Sequence, residues 1–157
     1  MTTPTARLAE LGLSLPPVAA PVAAYVPATV SCGHIFTSGQ LPSVSGELIA
    51  RGKVGAEVAP EAAVDAARVA ALNALAAAAS VAGGLDQIGR IVKVTVFVAS
   101  APDFTGQPAV ANGASELLVA VFGDAGQHVR SAVGVASLPL DAPVEVELTV
   151  EPLGVTW

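Results

Sequence analysis

The sequence predicts an α+β fold in which two main helices cover one face of a mixed β-sheet. Residues 60–82 and 111–123 have apolar residues at helical spacing, and three later segments alternate like strands. The segments follow one another as strands, helix, strand, helix and two strands, an order typical of α+β domains. The length of 157 residues fits one domain. We therefore predict a single domain over residues 1–157.

The N-terminal segment is predicted to be a short helix followed by a surface arm. The stretch TPTARLAELGL indicates the helix, with Thr5 or a neighbour available as its N-cap. The proline-rich stretch LPPVAAPVAAYVP follows, and its prolines favour extended backbone and remove sheet donors. Residues 1–21 are therefore expected to form an N-terminal helix and a proline-rich arm.

Strands and the first long helix come next along the chain. TVSCGHIFTSGQLP predicts a strand with a break at a glycine, and GELIARGKVG predicts a short hairpin. The helix is expected to begin at Pro60, with Glu61 near its positive end, and to stop at Gly83 and Gly84. Its expected apolar side consists of Val64, Val69, Leu72 and Leu75.

The second half of the chain contains the expected central strand. RIVKVTVFVAS is rich in β-branched residues, as buried strands are. One face of this strand is expected to carry Ile91, Lys93, Thr95 and Phe97, and the other Val92, Val94, Val96 and Val98. After the loop DFTGQP, the stretch ANGASELLVAVFG predicts the second helix, ending at Gly123. Two strands, 129–136 and 144–151, complete the domain.

Arg130 is a strongly basic side chain within an otherwise apolar strand. Alternation places it on the same face as Ala132 and Gly134, whose small side chains leave room beside it. A guanidinium in such a concavity can hold an incoming carboxylate through two hydrogen bonds. Alternatively, Arg130 forms a structural ion pair with Glu145 or Glu147, which lie on the polar face of the last strand.

Charge and composition disfavour two classes of partner. The net charge of −6 and the scattered basic residues oppose a nucleic-acid-binding surface. Mean hydropathy is high, at +0.66, but the uncharged run between Arg68 and Asp86 is too short and too polar for a membrane span. The N-terminus lacks the pattern of a secretory signal, so a cytoplasmic location is predicted.

The cysteine and the histidines are expected to be structural. Cys32 is the one cysteine, so it forms no internal disulfide and no paired metal-ligand motif, and we interpret it as a small buried strand residue. His34 and His128 have no partners at metal-ligand spacing. The sequence thus predicts no metal site.

Several stretches resemble the RidA/YjgF family, also called endoribonuclease L-PSP. They are Tyr25-Val-Pro, IFTSGQLP, VKVTVFVAS, Asn112 and RSAVGVASLPLDAPVEVE, and the resemblance covers roughly residues 22–151. It implies a chorismate-mutase-like α+β fold, a homotrimer and ligand sites in clefts between subunits. It also implies hydrolysis of reactive enamines and 2-imino acids, such as 2-aminoacrylate, to 2-keto acids and ammonia without a cofactor.

The resemblance also implies roles for individual residues. Arg130 matches the arginine that holds the substrate carboxylate, and Glu145 matches the glutamate that positions or activates the attacking water. Tyr25, Ser38 and Asn112 match residues that line the substrate site. From the residues alone, Tyr25 is equally a packing ring, Ser38 a turn residue and Asn112 a helix cap.

Two departures from the family pattern lie beside Arg130. Ala132 stands where many active relatives have cysteine, and Gly134 stands where they have glutamate, so the pocket beside the arginine is expected to be larger. The loop before Asn112, within residues 101–111, is also longer than usual. These differences are typical of a longer-chain branch of the family, whose substrates the sequence does not name.

Three functions are consistent with the sequence. The first is cofactor-independent deamination of 2-imino or enamine acids, which needs a held carboxylate, a polarised imine and one directed water. The second is a non-catalytic trimer that binds a small carboxylate or acts as a scaffold. The third is ribonuclease activity, which the acidic charge and the lack of a catalytic histidine pair disfavour.

Overall fold

A computed structural model describes residues 1–21 and 23–154 of the chain. Residue 22 of the predicted arm and residues 155–157 of the predicted domain lie outside the described residues. The helices are α1 (Pro4–Glu10), α2 (Pro60–Ala82) and α3 (Gln107–Phe122). The strands are β1 (Ala28–Ser31), β2 (His34–Thr37), β3 (Ser43–Val44), β4 (Glu47–Leu48), β5 (Ile88–Ala99), β6 (Val129–Val135) and β7 (Val144–Pro152).

Five strands form one mixed sheet in the order β1-β2-β7-β5-β6. The pair β5 and β6 is parallel, and the other neighbouring pairs are antiparallel. Strands β3 and β4 form a separate small hairpin, which begins three residues before the predicted one. The predicted α+β class, with a mixed sheet and helices packed on it, is therefore confirmed.

The core lies between one face of this sheet and helices α2 and α3. Val94, Val96 and Val98 of β5 pair with Leu148, Val146 and Val144 of β7, and all six side chains are at most 2% exposed. Two neighbouring strands thus turn a continuous apolar surface toward the helices. The buried face of β7 was predicted from its alternation, and the structure agrees.

Alanine covers most of the buried surface of helix α2. Of the four larger residues expected on its apolar side, only Leu75 is fully buried, while Val64, Val69 and Leu72 are half-buried. Small side chains let the helix lie close to its neighbours, and a Cβ added to Gly113 of α3 would overlap the carbonyl of Val64. The predicted bounds of α2, Pro60 to the Gly83 cap, are confirmed.

Helix α2 has the length and apolar composition of a membrane-crossing helix. However, 67% of its most apolar window is buried within the domain. That burial is the environment of a core helix.

Strand β5 does not alternate as the sequence suggested near its start. Ile91 is fully buried and Val92 is half-buried, although Val92 was expected to share a face with Val94. The register against β7 shifts between Ile91 and Lys93, and a bulge of this kind reverses the faces of the residues before it. The prediction that β5 is central is confirmed, because it pairs with both β6 and β7.

The expectation for Cys32 is wrong. Cys32 and Gly33 form the two-residue turn between β1 and β2, with φ of 47° and 74°, and Cys32 is exposed. Positive φ at both positions is typical of a tight hairpin turn whose twist matches the strands. The predicted single strand with a glycine break is thus an antiparallel hairpin.

Helix α1 packs against the body of the domain. Its N-cap is Thr3, whose side chain accepts a hydrogen bond from the Ala6 N–H. Leu8 is 2% exposed, and the Thr5 N–H donates to the Asp86 carboxylate over 2.8 Å. The helix is therefore held in place by both an apolar contact and a polar one.

Candidate active site

Arg130 lies on β6, the edge strand of the sheet, and its side chain reaches helix α3. Its Nη1 donates to Asn112 Oδ1 over 2.8 Å and to Ser115 Oγ over 3.2 Å, and Nη2 donates to the Pro108 carbonyl over 3.3 Å. These contacts use three of the five N–H groups of a guanidinium. Within residues 1–21 and 23–154, the Nε–H and one Nη2–H remain available to a ligand.

The contact with Ser115 continues to His128. Ser115 Oγ lies 2.9 Å from His128 Nε2, and His128 Nδ1 lies 2.6 Å from the Gly126 carbonyl. A carbonyl only accepts, so Nδ1 carries the proton, and in the neutral imidazole Nε2 accepts from the Ser115 hydroxyl. The Ser115 oxygen is then oriented to accept from Arg130. We call Arg130, Asn112, Ser115 and His128 the arginine cluster.

Helix α3 begins earlier than predicted, and this changes the interpretation of Asn112. The helix starts at Gln107, with Gly106 as its N-cap and Pro108 in the first turn, where proline's missing N–H leaves no hydrogen bond unmade. Asn112 therefore lies inside the helix, so the helix-cap interpretation is wrong. Its side chain instead accepts from Arg130.

The expected open space beside Gly134 is filled. A Cβ added to Gly134 would lie 2.7 Å from Gln107 Nε2 and 3.2 Å from Ser100 Oγ. Gln107 Nε2 is fixed there by hydrogen bonds to Ser100 Oγ at 3.2 Å and to the Phe104 carbonyl at 2.9 Å. Gln107, the first residue of α3, thus takes the place of a larger residue at position 134, and the expected enlargement of the pocket beside Gly134 is wrong.

Glu145 lies on β7, against the turn formed by Ser38, Gly39 and Gln40. A Cβ added to Gly39 would lie 2.6 Å from the Glu145 Cδ, so a larger residue at position 39 would displace the carboxyl group from this position. The turn is tied to β7 by backbone hydrogen bonds from Gln40 N to Val146 O at 2.8 Å and from Val146 N to Gln40 O at 3.0 Å. Glu145 is therefore held beside the turn by the two backbone hydrogen bonds of Val146, the next residue in the chain.

Burial raises the pKa of Glu145 above its ordinary value, and the charge of Glu147 raises it further. A carboxyl group with a raised pKa is a better proton acceptor when ionised than an exposed one. Perturbed carboxyl groups of this kind are common at catalytic sites.

Glu145 opens into a groove of about 950 Å³, which we call the glutamate groove. Tyr25 also lines this groove and is 45% exposed. Ser38 holds the segment that carries Tyr25, because its Oγ donates to the Val26 carbonyl over 2.6 Å and its N–H to the Pro27 carbonyl over 2.8 Å. In the structure, Ser38 thus shapes the turn, while Tyr25 and Glu145 border the groove.

Arg130 and Glu145 lie on opposite faces of the sheet. Along β5, Arg130 pairs with Val94 and Glu145 pairs with Phe97, three residues further on. Successive strand residues point to opposite faces, so an odd separation reverses the face. An ion pair between Arg130 and Glu145 within one chain is therefore excluded. The same holds for Glu147, which pairs with Thr95, one residue from Val94.

The predicted site residues thus form two separate groups in one chain. Asn112 joins Arg130 in the arginine cluster, while Tyr25 and Glu145 border the glutamate groove. Sequence reasoning missed Ser115 and Gln107. The spacing of Asn112 and Ser115, i and i+3 on one helix face, was the available signal for Ser115.

No group of three or more histidine, cysteine, aspartate or glutamate side chains is placed to hold a metal ion in the part of the chain that the structure describes.

The sequence of residues 5–151 matches the family described as "YjgF/chorismate mutase-like, putative endoribonuclease". The chain is also 44% identical over 147 residues to Protein TCP17 of Trypanosoma cruzi, a similarity that spans 93% of this chain and 92% of the relative. The chain therefore belongs to the YjgF/chorismate mutase-like family. The match begins at residue 5, so the arm and all of α1 except Pro4 lie within the family region.

Solved structures share this fold. The protein Atu1372 of Agrobacterium tumefaciens, whose function is described as unknown, is 45% identical with a TM-score of 0.87, over 95% of this chain and 92% of that one. Escherichia coli TdcF, solved with bound serine, is 27% identical with a TM-score of 0.63, over 87% and 93% of the two chains.

Proposed function

We propose that the protein is a cofactor-independent deaminase that hydrolyses 2-imino or enamine acids to 2-keto acids and ammonia. The observation that carries the proposal is the division of the site residues between two faces. On one face, Arg130 has two N–H groups that no described residue uses, and Glu145, with a raised pKa, borders a groove on the other face. A cleft between two chains can bring the two groups together.

A homotrimer with sites between subunits is part of this proposal. In the part of the chain that the structure describes, one face of the sheet carries no helix, and on it Phe36, Val129 and Val133 are 42%, 65% and 43% exposed. Exposed apolar side chains on a sheet face favour contact with another protein surface. The resemblance described above implies assembly as a homotrimer.

In the proposed reaction, Arg130 of one subunit holds the substrate carboxylate through its Nε–H and Nη2–H. Glu145 of a neighbouring subunit accepts a proton from a water molecule as the water oxygen bonds to the imine carbon. Glu145 passes this proton to the nitrogen, the hydroxyl group of the resulting adduct gives up its own proton to the nitrogen, and the carbon–nitrogen bond then breaks so that ammonia leaves. The oxygen from water becomes the carbonyl oxygen of the 2-keto acid.

Two observations support an amino-acid-like ligand. TdcF is described with bound serine, whose carboxylate is the group that Arg130 is proposed to hold. The net charge of −6 disfavours the endoribonuclease function in the family description, because a nucleic-acid substrate is polyanionic.

A cytoplasmic location, where disulfides are rare, belongs to the same proposal and is supported by the single cysteine.

The test is the hydrolysis of imino acids that an amino-acid oxidase generates in situ, with semicarbazide as a trap. We expect the wild type to accelerate hydrolysis and both Arg130→Ala and Glu145→Gln to abolish the acceleration. The matched controls are Arg68→Ala and Glu10→Gln, which change exposed charges on α2 and α1.

Failure of a folded trimer to accelerate any imino acid would overturn the proposal. Binding of a carboxylate without turnover would then favour the non-catalytic binder. Cleavage of RNA by rigorously purified protein, lost in Arg130→Ala, would favour the ribonuclease.

A further inference from the structure

We infer that the substrate acid carries a large apolar side chain, which lies in the glutamate groove. This inference rests on the proposed function, because it assigns the groove beside Glu145 to the substrate of that reaction. It concerns the side chain of the imino acid. Neither Arg130, which is proposed to hold the carboxylate, nor Glu145, which is proposed to activate the water, selects that side chain.

The volume of the groove exceeds what a small imino acid fills. At about 950 Å³ it lies at the upper end of the range of roughly 300–1,000 Å³ for small-molecule sites. A substrate with only a methyl side chain would leave most of it to water. A branched or aromatic side chain would occupy much more.

The lining of the groove is mainly apolar and comes from several separate parts of the chain. Pro17 and Val18 belong to the arm, Val69 and Leu72 to α2, Leu48 to β4 and Leu140 to the turn before β7. Val18 is 38% exposed, and Val69 and Leu72 are half-buried although α2 is otherwise a core helix. Exposed apolar surface that converges on one concavity favours an apolar ligand.

Leu140 is held in an unfavourable backbone conformation at this groove. Leu140 and Asp141 have φ of 59° and 62°, a region that residues other than glycine rarely adopt. Arg51 Nη1 donates to the Leu140 carbonyl over 2.7 Å, and Gly52 N to the Asp141 carbonyl over 2.8 Å. The turn is thus fixed by its neighbours, although it leaves the Leu140 side chain 58% exposed. Strain of this kind is concentrated at functional sites.

The arginine cluster offers no comparable room. Gln107 fills the space beside Gly134, so a side chain extending along that face would displace a hydrogen-bonded group. The glutamate groove is therefore the part of the proposed site that can accept the substituent, while the arginine cluster accepts the carboxylate.

The test compares kcat/KM for the imino acids derived from alanine, leucine and phenylalanine. We expect the leucine or phenylalanine derivative to exceed the alanine derivative by about tenfold or more, since a single methylene in an apolar pocket changes specificity by roughly that factor. Leu140→Asn should reduce this ratio, and asparagine tolerates positive φ, so the turn should be kept. Val119→Asp changes a 41% exposed apolar residue of α3 outside the groove and should leave the ratio unchanged.

Equal kcat/KM values for the three derivatives would overturn the inference while leaving the proposed function intact. If no imino acid is hydrolysed, the proposed function is wrong, and binding decides the inference. Calorimetry would then compare pyruvate with 4-methyl-2-oxopentanoate. Tighter binding of the larger acid, reduced by Leu140→Asn, would support the groove assignment, and equal binding would refute it.

Discussion

Arg130 and Glu145 lie on opposite faces of one sheet, because their partners on β5, Val94 and Phe97, are separated by three residues. Arg130 reaches toward α3, while Glu145 is packed against Gly39 and opens into the glutamate groove. A single chain therefore does not hold a substrate between the two. Joint action of the two residues requires two chains.

Mixing two inactive variants tests this requirement directly. Chains with Arg130→Ala and chains with Glu145→Gln are refolded together, so that trimers contain both. When the two variants mix at random in equal amounts, roughly a quarter of all sites take an intact arginine from one chain and an intact glutamate from the next. We expect specific activity to recover to about that fraction of the wild type.

The control for this experiment is each variant refolded alone, which should be inactive. If Arg130 and Glu145 of the same chain formed one site, every chain in the mixture would lack one of them. No recovery from a mixture shown to contain mixed trimers would therefore contradict the two-chain site.

Ser115 is predicted to position Arg130. Ser115→Ala removes an acceptor 3.2 Å from Arg130 Nη1 and the hydroxyl that lies 2.9 Å from His128 Nε2. Because a hydrogen bond to a charged group contributes about 1.5–3 kcal/mol, we expect KM to rise about tenfold. The change should be smaller in kcat, since the carboxylate is held in both ground and transition states.

Ser115→Thr retains the hydroxyl and should restore most of the lost affinity. Ser80→Ala is the matched control, because the Ser80 hydroxyl donates to the Ala77 carbonyl within α2 and is not one of the hydrogen-bond partners of Arg130. Equal rises in KM for Ser115→Ala and Ser115→Thr would mean that packing, and not the hydroxyl, matters at this position.

The activity is predicted to fall as the pH is lowered, and the pH at which it falls is predicted to depend on Glu147. Glu145 must be ionised to accept a proton from water, and its pKa is raised first by burial and then by the charge of Glu147. Glu147→Gln removes the second cause, so the pKa of Glu145 falls and the rise of kcat/KM with pH moves to lower pH. Burial remains, so the pKa stays above the ordinary value.

Glu151→Gln is the control for this pH profile. Glu151 lies on the same strand but does not contribute to the shifted pKa of Glu145. The prediction would be contradicted if the two variants moved the acidic limb by the same amount, since a general change of protein charge would then explain the shift.

The parts of the fold that follow from periodicity were predictable from the sequence. Helix α2, the buried face of β7 and the central position of β5 all come from apolar spacing read along one segment. The exceptions have local causes. A bulge reversed Val92, and a two-residue turn placed Cys32 at positive φ on the surface. Neither feature changes the apolar spacing from which elements are predicted.

The candidate site was predictable only in part. The face shared by Arg130 and Gly134 follows from alternation, but the packing of Gln107 against Gly134 depends on where a loop turns into α3. The separation of Arg130 from Glu145 depends on strand order and on a parallel pairing, which one sequence does not specify. The roles of Tyr25 and of the other matched residues stay predictions.

The spacing of α2 and α3 is predicted to depend on Gly113. A Cβ at this position would overlap the Val64 carbonyl, 2.9 Å from its carbon, and a backbone group has little freedom to move away. Alanine normally stabilises a helix relative to glycine, by roughly 1 kcal/mol. Here we expect the opposite, a destabilisation of about 2 kcal/mol and a fall in Tm of roughly 5 °C.

Ala120→Gly is the matched control, because Ala120 is exposed on the same helix and reports helix propensity alone. Thermal unfolding at equal protein concentration measures both variants. A Gly113→Ala protein more stable than the wild type would show that α2 and α3 do not approach this closely. Gly113 follows Asn112 directly in α3. If the added methyl group forced α3 outward, the acceptors of Asn112 and Ser115 would move away from Arg130. We therefore expect weaker substrate binding together with the loss of stability.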